Sequence, residues 1–325
     1  RSLRIYDLVP LPSSLTSSTS ARPLIALVVA VLALSTSVLM LRESRLAPGT
    51  LSCWRLLFAA IILFPWFVRG WIGHRGVDFR PAMLRHCVVP GLLLALHFTT
   101  WVIGARATEV ANASLIVNMV PAVLPLLLWF LIREKIDRQE IVGTTIAFAG
   151  VLVLSGADLT VSAATARGDL ICFGSMLLLA AYLAFGRRNG RTLPDVWLYV
   201  VPLYFIASAG SLGLAWITGQ KIELPVGREL VLVTALAIGP TILGHALINY
   251  TLRHLPGQRV AVASQCQFVA AGMLELGFNG VLPTWGFYLA APLVLLGAGV
   301  VITAKGHPGR PGHPGRQGEV DSDPP

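Results

Sequence analysis

The chain has 325 residues, of which 55% are hydrophobic and only 13% charged, against about a quarter charged in ordinary soluble domains, and its mean hydropathy is +0.71. Such a composition excludes a water-soluble globular protein and makes the chain an integral membrane protein. The net charge of +9 excludes little by itself, but the basic residues sit in short connectors between long apolar runs, so the surface they address is the lipid bilayer and no nucleic-acid partner is expected.

Crossing ~30 Å of hydrocarbon takes about 20 mostly apolar residues, and ten runs approach that length: 23–41, 50–69, 87–104, 110–131, 139–157, 168–186, 196–218, 229–250, 259–279 and 284–304. Residues 1–22, with SSLTSSTS, and 305–325, with GHPGRPGHPGR, offer nothing to bury and are predicted to be disordered tails. The first run follows Arg1, Arg4 and Arg22, as a signal peptide would, yet its apolar core is longer than an h-region and no clean A-x-A site follows, so it is read as a retained helix. Counting the tails and alternate connectors, 18 Lys and Arg lie on the N-terminal side, six on the opposite side, and Arg55 lies within a run. The asymmetry predicts a multi-pass protein of the cytoplasmic membrane with both termini in the cytoplasm. Cys53, Cys87, Cys172 and Cys266 fall inside the runs without metal-ligand spacing and read as small apolar packers. No metal or other cofactor is expected.

The fifth run ends near the midpoint, and residues 156–169, GADLTVSAATARGD, form a small-residue hinge. This divides the chain into a first five-helix repeat at 23–157, a linker at 158–167 and a second five-helix repeat at 168–304. Five is odd, so a duplicated second half enters the membrane upside down relative to the first. At an offset of 147 residues, ARATEVANASLIVNMVP lies over LRHLPGQRVAVASQCQF, matching Arg106 to Arg253 and Asn118 to Gln265. Two further residues of drift bring AGVLV over AGVVI. The expected fold is therefore an all-α membrane protein of ten transmembrane helices in two inverted-topology repeats.

WRLLFAA in the second run, ARATEVANASLIVNMVPAVLPLL followed by REKI and GTTIAFAGVLVL, GDLICFGSMLLLAAYLAFGRR at the start of the second half, and GPTILGHALINYTLRHLPG in the eighth run together resemble the EamA-type drug/metabolite transporters. The resemblance covers roughly residues 23–304 and lies in the order of loose Arg, Pro, Gly and Glu punctuation rather than in any one motif. It implies a secondary transporter that exports a small organic metabolite or amino acid by alternating access. Three places depart from the family pattern. Ser35, Thr36 and Ser37 stand where a Trp-Gly pair is common, Gln267 and Phe268 stand where a Glu-Pro pair is common, and the counterpart of the corner glutamate Glu134 is Val281.

The polar residues inside the runs are the candidate substrate pathway. At 100° per residue Ala111, Ser114, Asn118, Pro121, Pro125 and Trp129 share one face of the fourth run, and the offset carries that stripe to Ala261, Gln265, Phe268, Gly272 and Leu276 in the ninth. Asn118 and Gln265 then bracket the membrane midplane, with Gln267 beside them, and Pro121 frees a carbonyl near Val117. His97 with Trp101 and His245 with Asn249, each pair four residues apart, add intramembrane histidines. A titrating imidazole makes protons a candidate partner beside the small organic solute, and Trp101 and Tyr182 can stack on such a solute. Arg55 and Glu275 lie at similar depth, roughly 6 to 9 Å from one surface, and are candidates for a paired outer gate; the competing reading for Arg55 is snorkelling to the headgroups. The alternatives to a carrier are a membrane-embedded lipid-modifying enzyme and a non-transporting scaffold. No HExxH, paired-Asp cluster or phosphate-cradling glycine loop is present, so no catalytic residue is assigned.

Overall fold

The structure, a computed structural model, describes residues 21–74, 80–108, 113, 116–158, 163–190, 192–280, 282 and 285–304. The two tails expected to be disordered, the middle of the linker, and Ala111, Ser114 and Val281 lie outside the described residues, as does the side chain of Glu275. Among the described residues every regular element is helical. The helices are α1 (Ala21–Ser35), α2 (Ser37–Glu43), α3 (Pro48–His74), α4 (Val88–Ala107), entered through a 3-10 turn at Pro81–Cys87, and α5 (Val120–Ile132). Next come α6 (Arg138–Asp158), α7 (Ala163–Asn189) and α8 (Trp197–Ile217). Then α9 (Arg228–Leu236) runs through a π-helical stretch, Ala237–Ala246, into α10 (Leu247–His254). The chain closes with α11 (Gly257–Ser264), α12 (Gln267–Asn279) and α13 (Trp285–Ile302). Among the described residues, seven helical stretches are long and apolar enough to cross a membrane, and Val120–Ile132 is a shorter apolar helix.

The helix breaks have local causes. Between α1 and α2 the Ser35 hydroxyl donates to Leu32 O and the Thr36 hydroxyl to Ala33 O, a back-bonding that bends helices. In the π-helical stretch Pro240 has no N–H to give, and the Thr241 hydroxyl donates to Leu236 O, five residues back. The fourth and ninth runs, expected as continuous helices, are instead interrupted at Asn118–Met119 and at Gln265–Cys266. The stripe predicted for the fourth run holds only in part: Pro121 and Pro125 are buried, but Trp129 is 43% exposed, because each step of four residues advances about 40° and places Trp129 about 80° round the helix from Pro121.

Large side chains such as Ile25, Ile72, Phe130 and Trp216 stay exposed, as suits faces that meet lipid rather than water. Inside, small residues bring helices together. A Cβ on Gly104 would come within 2.6 Å of Cys172 Sγ, joining α4 to α7, and one on Gly49 within 2.9 Å of Ala215 Cβ, joining α3 to α8. A further seam joins α6 to α13: a Cβ on Gly297 would stand 2.5 Å from both Ala147 N and Gly143 O.

The connectors gather into two polar clusters at the ends of the long helices. In one, Ser44 Oγ and Arg45 N–H donate to the Glu229 carboxylate, Arg106 donates to Leu41 O, Ser44 O and Leu46 O, and Arg42 donates to Ala105 O. In the other, Arg187 pairs with Glu134 at 2.8 Å and donates to Leu252 O, Arg253 donates to Pro194 O, and Arg259 pairs with Glu140 at 3.0 Å. The two arginine-to-carbonyl clamps are related by the repeat: Arg42 holds the carbonyl of Ala105, Arg187 that of Leu252, and the two carbonyls are 147 positions apart.

The α6–α13 seam yields the first test. Gly297→Leu forces overpacking against backbone atoms, which costs about 1–3 kcal/mol or more. Its unfolding midpoint in detergent is expected several degrees below that of the parent protein, whereas Gly299→Leu, with nothing within 4 Å of its Cβ position, is expected to leave it unchanged.

Candidate functional site

A cavity of about 170 Å³ opens among the helices where the breaks converge. Its walls include Ser35 and Ser37 beside the α1–α2 break, His97, Phe98 and Trp101 of α4, and Leu179 and Leu183 of α7. Asn118 and Pro121 come from the start of α5, His245 from the π-helical stretch, and Gln265, Gln267 and Phe268 from the α11–α12 break. His97 and His245 are the titratable side chains of the wall among the described residues.

The two interrupted helices meet at this cavity. Because the Ala122 N–H donates to Met119 O, the carbonyl of Asn118 loses its helical donor, and Gln265 Nε2 donates to it at 2.8 Å. The partners are 147 positions apart, the offset of the internal repeat. Both residues are buried, at 4% and 1% exposure. Where they were expected to bracket the midplane from opposite sides, Gln265 reaches the Asn118 backbone directly. A second freed carbonyl lies one turn on: Pro125 has no N–H for Pro121 O, and Gln258 Nε2 takes that place at 3.1 Å while also donating to Thr144 Oγ1 at 2.8 Å. Gln258 carried no signal in the sequence, since the need it meets is created by a proline in the other half.

The histidines face each other across the wall, with ring centroids 6.4 Å apart and sequence positions 148 residues apart. His97 Nδ1 lies 2.9 Å from Ser175 O, and the Ser175 hydroxyl donates to His97 O at 3.0 Å. The tautomer with a proton on Nδ1 satisfies both groups and leaves Nε2 an acceptor. Phe98 packs edge-on against His245, with centroids 5.0 Å apart.

Tyr182 and Asn249 lie off the cavity wall. Tyr182 has no exposed surface, Asn249 has 1%, and Asn249 Nδ2 donates both to Tyr182 Oη at 2.5 Å and to His245 O at 2.8 Å. They brace the histidine helix from behind. Arg55 is enclosed by protein at 1% exposure, which removes it from the headgroups where snorkelling would place it. Its Nε and Nη2 donate to Thr241 Oγ1 at 3.1 and 3.0 Å, and its guanidinium lies 4.0 Å over the Phe98 ring. Thr241 and Phe98 are partners that no sequence spacing announced. The expected acidic partner, Glu275, has its side chain outside the described residues.

Glu134 sits beyond the cavity at one end of the bundle. Arg133 takes a left-handed conformation, φ 55°, to close α5, which turns Glu134 toward the second half. There one carboxylate oxygen pairs with Arg187 and the other accepts the Gly257 N–H at 2.9 Å, at the positive N-terminus of α11.

The EamA-like transporter family matches residues 21–156 and 166–303, one segment for each half. The chain belongs to that family. It is a multi-pass membrane transporter, similar to an uncharacterized transporter of Archaeoglobus fulgidus, 23% identical over 79% of this chain and 77% of the relative. It is also similar to the aromatic amino acid exporter YddG of Ancylobacter novellus, 24% identical over 65% of this chain and 72% of the relative. The uncharacterized transporter YyaM of Bacillus subtilis is 21% identical over 80% and 85%. A protein of known crystal structure shares the fold, with a TM-score of 0.71 at 20% identity, covering 86% of this chain and 97% of its own.

Gln265→Leu separates a role in transport from a role in packing. It strands a buried carbonyl, which costs about 1–3 kcal/mol, at the wall of the cavity. Solute flux per folded molecule is expected to fall roughly tenfold or more, with folded yield reduced far less. Equal losses of flux and folded yield would assign Gln265 to packing alone.

Proposed function

We propose that the chain is a ten-span carrier whose two halves are inverted in the membrane, with both termini in the cytoplasm, and that it exports a small organic solute, a metabolite or amino acid, by alternating access. The observation that carries this reading is the meeting of Asn118 and Gln265 at the cavity, two helix breaks separated by the repeat offset. Discontinuous helices near the midplane, facing one another across the repeat interface, are where carriers built of inverted repeats bind their substrates. The matched arginine clamps at the two ends, on Ala105 O and Leu252 O, support the inversion, since equivalent contacts fall in opposite clusters. The excess of Lys and Arg on the N-terminal side supports cytoplasmic termini. The similarity to an aromatic amino acid exporter supports the outward direction and an amino-acid-like solute. His97, Trp101, Asn118, Pro121, His245, Gln265 and Gln267 form the proposed pathway wall, with Tyr182 and Asn249 behind it.

Topology is tested with single cysteines at exposed positions in the two clusters. Arg45→Cys and Lys221→Cys are expected to react with an impermeant maleimide added to intact cells, and Arg188→Cys only after the membrane is opened. Labelling of Arg188→Cys in intact cells would end the ten-span reading. Transport itself is tested in proteoliposomes loaded with amino acids and organic acids, with and without a pH gradient. Protein-dependent efflux is the expected result, and an effect of the gradient identifies protons as the coupling ion.

A further inference from the structure

Arg55 presents a problem in electrostatics. A guanidinium cannot be relieved of its charge by losing a proton, and burying it without a counterion is among the costlier things a fold can do. Yet the neighbours described around it are neutral. Nε and Nη2 share one acceptor, Thr241 Oγ1, which is itself committed to Leu236 O. Tyr204 Oη donates to Thr241 O. Nη1 is fully buried and has no hydrogen-bond partner among the described residues. What the charge does meet is Phe98, 4.0 Å from guanidinium carbon to ring centroid, and Phe98 is part of the cavity wall.

The wall in turn is nearly without charge. Its polar side chains among the described residues are serine, asparagine, glutamine and histidine, with one tryptophan indole, and none is an aspartate, glutamate, lysine or arginine. The cavity thus has neutral donors and acceptors on its surface and a single fixed cation one ring's thickness behind it. In a low-dielectric interior such a cation acts across several ångströms with little screening.

Resting on the carrier reading above, we propose that Arg55 sets the charge preference of the cavity, and that the solute carried is a small organic molecule bearing one carboxylate. A single negative charge is what one guanidinium balances, and the neutral amide and indole donors of Gln265, Gln267 and Trp101 suit carboxylate oxygens without adding charge of their own. The rest of the wall, Phe98, Phe268, Leu179 and Leu183, fits an apolar body.

The test compares each carboxylate with its own carboxamide. Full-length protein in proteoliposomes is loaded with N-acetyl-L-phenylalanine, N-acetyl-L-leucine or 3-phenylpropionate, each a monoanion, or with the corresponding neutral amide, and efflux from protein-free vesicles is subtracted. The parent protein is expected to favour carboxylates over amides by at least about tenfold. Arg55→Met is expected to bring that ratio near one while amide flux persists, and Arg55→Lys, whose buried amine sheds its proton more readily than a guanidinium, to give a ratio between those of Arg55→Met and the parent. A purely structural Arg55 would lower both fluxes together and leave the ratio alone. Folding is followed by size-exclusion profile; if Arg55→Met does not fold, Arg55→Gln, which removes the charge and keeps a donor for Thr241 Oγ1, is read in its place. Equal efflux of carboxylates and amides by the parent protein, or an unchanged ratio in Arg55→Met, overturns the assignment while the carrier reading stands. Efflux of no probe at all overturns the carrier reading, and this inference falls with it.

Discussion

A carbonyl without a donor cannot be left facing hydrocarbon, and the centre of this protein is organised by that constraint. Helices that run unbroken satisfy it internally. Here helices stop or change pitch at the cavity, and other elements hold the groups so freed. Gln265 holds Asn118 O, Gln258 holds Pro121 O, and the Thr241 hydroxyl and Tyr204 attend to the π-helical stretch around Pro240. The first two of these contacts join one half of the chain to the other. The breaks therefore do two things at once: they expose polar groups at a cavity, and they tie the halves together at the place where the cavity forms.

The ends of the bundle follow the same logic with stronger partners. Where chain turns leave helix carbonyls unpaired, arginines reach in, Arg42 and Arg106 at one end and Arg187 and Arg253 at the other. The glutamates then divide the labour differently. Glu229 receives Ser44 and Arg45, while Glu134 spans from Arg187 to the start of α11. Duplication has left matching cationic clamps and unmatched anionic ones, so the two ends are built alike but locked by different contacts.

Much of this was legible in the sequence because a bilayer imposes lengths and charges that local composition reports directly. The apolar runs, the hinge near the midpoint and the offset that pairs Asn118 with Gln265 need no tertiary information. The breaks are another matter. A lone Asn or Gln in an apolar run marks a polar point on a helix, but whether the helix stops there depends on a donor 147 residues away. Trp129 leaves the stripe through the ordinary drift of four-residue steps, whereas nothing in the spacing reveals that Tyr182 and Asn249 stand behind the cavity wall or that Gln258, Thr241 and Phe98 partner Pro121 O and Arg55. Family membership was readable from the order of many weak motifs, whereas the surroundings of Arg55 were not, since they are assembled from α3, α4 and the π-helical stretch.

The glycine seam between α6 and α13 has a mechanical consequence. Where Gly143 and Gly297 bring the two backbones together, only short groups such as the Ala147 and Val301 methyls stand at the seam, so shear along that line requires the pair to separate first. The two helices form a stiff plank, and each belongs to a different half of the chain. Any displacement of one half against the other is resisted along this line. The two copies of one unit are thereby fastened to each other through their equivalent last helices, a line of stiffness that runs between the halves rather than within either of them.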